Sequence, residues 1–298
     1  MLDTPPDTAA TETPDAPGSE APDTVDTPLG PVPVTQRACP SCGAANENVA
    51  AGPYSRPPWA IKQCPACGFV YLDPVPRYEA LTETLSWEKS RESENARRAS
   101  ERPVSYRVSQ TLRKRNRLFP RKDIARLAER HAPPGNVVDI GCAEGGRAMT
   151  LAPDYVPFGI EISAELAAQA DGHFATRGGR CVLAPALQGL RSFDDGFFTA
   201  AMLRSFLEHE TQPREVLAEL ARTLQPGGVA IVKVPNYGSL NRRVTGRRWC
   251  GFRYPDHVNY FTPASLRVMA EAEGFAVSFG ATGAMPTSDN MWALLRRR

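Results

Sequence analysis

No stretch of this 298-residue chain approaches the ~20 consecutive apolar residues of a membrane span, so no membrane insertion is expected. No basic segment followed by an apolar run stands at its start, which sets the expectation of a cytoplasmic protein with reduced thiols. Lys and Arg are missing from residues 1–36, which carry seven acidic side chains and eight prolines. The net charge of +2 therefore leaves about +9 on the remainder, a mild basic excess that does not by itself imply nucleic acid. Histidine is scarce, with four in all, so few side chains are available to move a proton near neutral pH. Hydrophobic residues make up 42% of the chain, enough for a substantial core.

Composition divides the chain. Residues 1–36, rich in Pro, Thr, Ala and Asp, cannot bury enough surface to offset their ordering entropy and read as a disordered tail. Residues 37–76 hold Cys39-Pro-Ser-Cys42-Gly and, after 21 intervening residues, Cys64-Pro-Ala-Cys67-Gly. In reduced surroundings two such knuckles offer four thiolates to one tetrahedral ion, at a spacing just beyond the usual structural range. Two unrelated redox or buried pairs are the alternative, disfavoured by duplication of the same knuckle. Four protein ligands leave no open position, so a structural Zn2+ is expected, folding a segment too small for its own core. Residues 77–119 read as a helical linker. The basic run Arg113–Arg117 with Arg121 and Lys122 fits a solvated helix face better than a polyanion site.

From residue 120 the text alternates strand and helix. Asp123–His131 is amphipathic and stops before Pro133-Pro134-Gly135. Val137-Val-Asp-Ile-Gly-Cys-Ala-Glu-Gly-Gly146 is a buried strand ending in a glycine turn, the way α/β proteins bring backbone close to a nucleotide-like ligand. A short helix is expected at Arg147–Leu151 and a second strand at Tyr155–Ile162, delivering Glu161 where an acid accepts ribose hydroxyls. Ser163 caps a helix at Ala164–Ala170, with strands next at 181–183 and 197–203. The helix Arg214–Leu224 is ended by Gln225-Pro-Gly-Gly228 before a strand at 229–234. Thr262-Pro263 opens a helix at Ala264–Ala272. A closing antiparallel pair is expected at 275–279 and 291–295, then an exposed Arg296–Arg298 tail.

Together these motifs resemble the class I S-adenosylmethionine-dependent methyltransferases. The matching pieces are Val138-Asp139-Ile-Gly141-Cys142-Ala143-Glu-Gly145, Gly159-Ile-Glu161-Ile162, Phe206-Leu-Glu-His209 and Leu224-Gln-Pro-Gly-Gly228. The resemblance implies an α/β, doubly wound, mainly parallel, seven-stranded Rossmann-like sheet with an antiparallel last strand, beside the small N-terminal zinc module. A nicotinamide dehydrogenase competes, but Gly141-x-x-x-Gly145 differs from G-x-G-x-x-G, and the acid two residues earlier favours a ligand without pyrophosphate. The cofactor set implied is Asp139, Gly141, Cys142, Ala143, Gly145, Glu161 and Ile162. Leu203 and the residues around Ala184–Leu187 are implied to flank adenine. Ala143 replaces the loop's usual middle glycine, which is tolerable if its φ is negative. Ala184-Pro-Ala replaces an acid for the adenine amino group.

Residues 235–262 intervene between the fifth strand and the next helix, at the sheet edge where such folds bind substrate. Their aromatic, Arg, Asn and His content suits a polar ring. The zinc knuckles, this domain and Pro255-Asp256-His257-Val-Asn-Tyr-Phe-Thr resemble bacterial methyltransferases of sugar and polysaccharide biosynthesis. The implied reaction is methyl transfer from S-adenosylmethionine to a small polar acceptor, a sugar or glycoconjugate hydroxyl or carbon. RNA methylation using the zinc module and residues 113–122 is the alternative. His257 beside Asp256, which would orient its ring, and His209 are the candidate bases. His131 reads as a helix end and His173 as a surface-turn residue. Cys142, Cys181 and Cys250 read as packing residues.

Overall fold

The computed structural model describes residues 23–27, 30–77 and 123–298. The expected linker beyond Arg77, the basic run at 113–122 and the tail up to residue 22 lie outside the described residues.

Part of the expected tail is strand. Strands β1 (Thr24–Thr27) and β2 (Gly30–Thr35) form a hairpin. Val32 and Val34, alternate residues of β2, are buried. In the cysteine segment, β3 (Ala60–Gln63) pairs with β4 (Val70–Asp73), and β5 (Val75–Pro76) pairs with β2. Burial partners far along the chain order this proline-rich stretch, which local composition cannot reveal.

The larger unit begins with α1 (Ile124–His131), whose N-cap Asp123 accepts from the Ala125 N–H at 3.0 Å. Then come β6 (Asn136–Ile140), a single 3₁₀ turn at Ala148–Thr150 in place of the expected helix, and β7 (Val156–Glu161). Helix α2 (Ala164–Ala175), capped by Ser163, runs beyond the expected Ala170, and β8 (Cys181–Leu183) follows. Helix α3 (Ala186–Arg191), opened by Pro185, was not expected from the sequence. Strand β9 (Phe198–Arg204) leads to α4 (Pro213–Thr223) and β10 (Leu224–Pro235). The Gln225–Gly228 stretch, expected to be a terminator, is the irregular start of β10, with the register shifting between Leu224 and Val229. Helix α5 (Leu240–Thr245), β11 (Asn259–Tyr260), α6 (Pro263–Ala272), β12 (Phe275–Ser278), α7 (Gly280–Gly283) and β13 (Asn290–Arg297) complete the chain.

Seven strands form one sheet in the order β12-β13-β10-β9-β6-β7-β8. Strands β6 to β10 run parallel, and β13 alone is antiparallel to its neighbours β10 and β12. Strict alternation feeds two core layers. Val138, Ile140, Ala230 and Val232 face one side, while Val137, Val229 and Ile231 face the other. Helix α4 buries Val216, Leu217 and Leu220 completely, each worth about 1.5–3 kcal/mol of transfer free energy. The expected arginine tail is sheet: Arg296 and Arg297 belong to β13 and donate to the Gly227 and Leu224 carbonyls.

The cysteine segment and the loop at 235–262 are built into each other. β11 lies at the end of that loop and pairs with β4, so β11-β4-β3 is one small sheet. Phe69 meets Phe261 edge-on at 5.2 Å between ring centroids. The Arg37 guanidinium donates to the carbonyls of Leu72, Thr211 and Val258, the last at 2.6 Å, and to Asn259 Oδ1. Burial lowers its pKa to about 10 against the opposing pull of Asp73, which leaves it cationic at neutral pH.

Candidate functional site

At the carboxyl end of β6 the backbone folds tightly, with Gly141 at φ +69° and Gly145 at φ +80°. A Cβ on Gly145 would come within 2.8 Å of the Phe174 ring, and one on Gly159 within 2.6 Å of Cys142 Sγ. Both positions thus need glycine for space. Ala143 sits at φ +50°, so the condition under which alanine is easily tolerated there is not met. That left-handed conformation strains an L-residue by about 1–2 kcal/mol, partly offset by the lower unfolded-state entropy of Ala relative to Gly. Ala143→Gly is therefore expected to raise the melting temperature by about 2 °C. A lower melting temperature would show that the Ala143 methyl group is packed rather than strained.

Asp139 lies beneath this turn, 1% exposed, and neither carboxylate oxygen has a hydrogen-bond partner among the described residues. Arg147 approaches only to 3.7 Å, an ionic contact too long for a hydrogen bond. Burial pushes the Asp139 pKa up to about 7, with Arg147 and Arg204 pulling against it. Glu161, at the tip of β7, accepts from the Ile162 and Ser163 N–H groups at 2.9 and 3.0 Å, and from the Ala143 N–H at 2.9 Å. One carboxylate thereby ties the glycine turn to the second strand end.

Two members of the expected cofactor set turn away. Leu203 is fully buried in the core, and Cys142 points inward with its sulfur 3.6 Å from Cys181 Sγ. Only the Cys142 backbone can face a ligand in the turn. The apolar side chain that is exposed at this edge is Leu183, 56% accessible and in register with Glu161. Its position at the end of β8 was the available sequence signal, masked because a three-residue strand shows no clear alternation.

The end of β9 carries the second group. Ser205 takes φ +55°, and its hydroxyl accepts from Lys233 Nζ at 2.9 Å. The next turn presents Glu208 and His209 and is stitched to the 235–262 loop. The N–H groups of Val258 and Asn259 donate to the Glu208 carbonyl at 2.8 and 3.1 Å. The Asn259 amide donates to the carbonyls of Leu207 and Glu210 at 2.8 and 2.6 Å. His209 and His257, 48 residues apart in the sequence, meet edge-on with ring centroids 4.8 Å apart.

Asp256 does not orient His257 as expected. Its carboxylate pairs with Arg253 at 2.6 Å, while His257 Nδ1 contacts the Gly251 carbonyl and His209 Nδ1 the Asp256 carbonyl, both at 2.8 Å. Burial, then the charges of His209 and Arg253, push the His257 pKa well below its ordinary value, so the ring is neutral at physiological pH. Burial raises the Glu208 carboxyl, opposed by His209 and Lys233. The other two histidines stand elsewhere. His131 ends α1, and His173 lies in α2 rather than a turn, its Nδ1 2.8 Å from the Glu144 carbonyl.

The loop aromatics hold the loop instead of lining an open surface. Trp249, Phe252 and Tyr260 are buried in one cluster with Trp59, Val32 and Leu72 of the N-terminal strands. Tyr54 and Tyr237 remain half-buried, with Arg242 over both rings, 4.2 Å from the Tyr237 centroid.

The four knuckle cysteines converge, their sulfurs all within 4.8 Å of one another. Cys39 to Cys67 and Cys42 to Cys64 are 3.6 Å apart. A tetrahedral ion with metal–sulfur bonds near 2.3 Å needs sulfurs about 3.8 Å apart, so the set fits zinc. The knuckles match in detail: Gly43 and Gly68 both take φ +73° and donate to the carbonyls of Cys39 and Cys64.

A family model described as "Methyltransferase domain" matches residues 112–278, more than half the chain. Among solved structures, the chain is similar to a SAM-dependent methyltransferase from Archaeoglobus fulgidus, with 17% identity over 58% of this chain and 91% of that one, TM-score 0.46. It is similar to one from Methanosarcina mazei at 18% identity over 57% and 94%, TM-score 0.43. The [4+2]-cyclase SpnF matches at 18% identity over 58% and 80%, TM-score 0.44. Among curated proteins there is no match.

Proposed function

This chain belongs to the methyltransferase-domain family, and on that premise we propose that it methylates a small polar acceptor, a sugar or glycoconjugate hydroxyl or carbon. S-adenosylmethionine supplies an electrophilic methyl group on a sulfonium. The observation that carries its placement is Asp139, a buried carboxylate under a glycine turn whose two oxygens are unpartnered among the described residues. Such a group suits the ammonium of an amino acid moiety, which repays the cost of burying the acid. Gly141, the Cys142 and Ala143 backbone and Gly145 would pass that moiety. Glu161 and Ile162 would hold the ribose, and Leu183, with the residues around Ala184–Leu187, would cover the adenine. Three of the roughly four acceptor directions of Glu161 already serve backbone N–H groups. Binding both ribose hydroxyls therefore requires the Ala143 N–H to release.

His209 and His257 would stand on the acceptor side, where a hydroxyl held about 3–3.5 Å from the methyl group must lose its proton. The neutral, anchored His257 imidazole can take it. His257→Ala is expected to lower turnover by about 10²–10⁴-fold while leaving cofactor affinity nearly unchanged. Parallel loss of both would mean that the ring only supports the loop.

Stitching of the acceptor loop to the cysteine segment supports a compact acceptor, because it closes this edge with backbone pairing. The RNA reading rests on residues 113–122, outside the described residues, and is an outcome of the same test. Incubation with labelled S-adenosylmethionine and either nucleotide-sugar mixtures or RNA is expected to label only the former. Label in RNA, with binding that falls steeply with salt, would overturn the acceptor class. A structural Zn2+ on Cys39, Cys42, Cys64 and Cys67 completes the proposal.

A further inference from the structure

Glu208, His209 and His257 each present a ligating atom, and these atoms lie within 4.8 Å of one another. Proton transfer to an imidazole requires one ring. Three converging donors, two of them held by backbone contacts, are more than that task needs.

The local hydrogen bonding prepares each donor. A carbonyl oxygen can only accept, so His209 and His257 must both donate from Nδ1, to Asp256 and Gly251 at 2.8 Å. That choice of tautomer leaves the Nε2 lone pairs as the ligating atoms. A ring N–H donated to a carbonyl is the usual support behind a metal-bound histidine. Glu208 is 1% exposed, and its Oε2 is buried with no hydrogen-bond partner among the described residues. An acid oxygen taken out of water without a donor is costly. The backbone of Glu208 is fixed by Val258 and Asn259, so its side chain is held at the cluster by the same loop that carries His257. Lys233 and Arg253 are the nearby cations. Arg253 is already paired with Asp256, and Lys233 donates to Ser205.

The geometry points to a divalent transition-metal site formed by Glu208, His209 and His257 at the carboxyl edge of β9, distinct from the four-cysteine cluster. Two imidazole nitrogens and one carboxylate suit ions of the zinc, cobalt, iron or manganese class rather than calcium or magnesium. Three protein ligands leave open positions, unlike the closed cysteine site, and an oxygen of the acceptor would enter there. The site rests on the proposed function for its acceptor but replaces the ring as base: with His257 Nε2 ligating, the ion would instead acidify an acceptor hydroxyl bound to it, and ion binding is measurable without turnover.

Co2+ titrated by calorimetry and visible spectroscopy into the full-length protein, previously saturated with zinc at its cysteines, tests this. About one equivalent of Co2+ is expected, with ligand-field bands and no thiolate charge-transfer absorption. Glu208→Gln and His209→Asn should each weaken it at least tenfold. S-adenosylhomocysteine binding measured on the same samples reports whether each variant is folded. Absence of a Co2+ equivalent in the wild-type protein, thiolate bands in its spectrum, or unchanged affinity in both folded variants would overturn the site. Failure of S-adenosylhomocysteine to bind while Co2+ still binds would sink the methyltransferase placement and leave the ion site standing.

Discussion

Asp139→Asn is expected to weaken S-adenosylmethionine binding by at least about 30-fold and, without cofactor, to make the protein more stable at alkaline pH. Both effects come from one buried carboxyl. Folding raises its pKa from the ordinary 3.8 to about 7. The folded state therefore holds the proton more tightly than the unfolded chain. The stability this confers is fully present below pH 4 and is lost as the pH rises through 7. The interval corresponds to on the order of 4 kcal/mol, a burden the amide does not carry. Thermal melts should show the variant about 10 °C above wild type at pH 8 and level with it at pH 4. Saturating cofactor should narrow the gap at pH 8, because it stabilises wild type by about 2 kcal/mol more than a variant that binds 30-fold more weakly. An equal shift at both pH values would show that Asp139 does not titrate in this window. Unchanged affinity in calorimetry would remove it from the donor site.

Stripping the proposed zinc with a chelator, or replacing Cys64 by Ser, should abolish methyl transfer while changing cofactor affinity only severalfold. Structural zinc sites contribute about 10–16 kcal/mol to folding, and the segment they organise here is too small to fold by its own burial. What fails with it is specific. β4 is the partner of β11, Phe69 backs Phe261, and Arg37 satisfies the Thr211 and Val258 carbonyls. Those contacts position the turn carrying Glu208 and His209 against His257. Asp139 and Glu161 sit on β6 and β7, with Gly141 in the turn after β6, and these strands pair with each other and with β8 and β9. Full turnover by protein shown by elemental analysis to lack zinc would refute this coupling.

The strands and caps around the glycine turn were legible in the sequence because their signals are local. Val137–Gly146, Glu161 and the caps Asp123, Ser163 and Thr262 each act within a few residues of themselves, and the structure places them at the expected strand ends and helix starts. Errors arose where distant partners decide. Residues 24–35 look disordered by composition, yet Val32 and Val34 are buried in the same cluster as Trp249 and Phe252. The loop aromatics look exposed for the same reason. Asp256 neighbours His257 in sequence, but the side chains separate because Arg253, one turn back, takes the carboxylate. Leu203 was placed by strand position, and continuous burial of β9 hides which face each residue takes.

The pairing of β4 with β11 joins opposite ends of the chain, which gives the molecule an order of assembly. Strands β6, β7 and β8 pair across 20–22 residues of chain, against 188–190 for β4 with β11. Contacts between remote segments carry a larger closure entropy and form later. A folding chain is therefore expected to grasp its methyl donor before it has anywhere to deliver the methyl group.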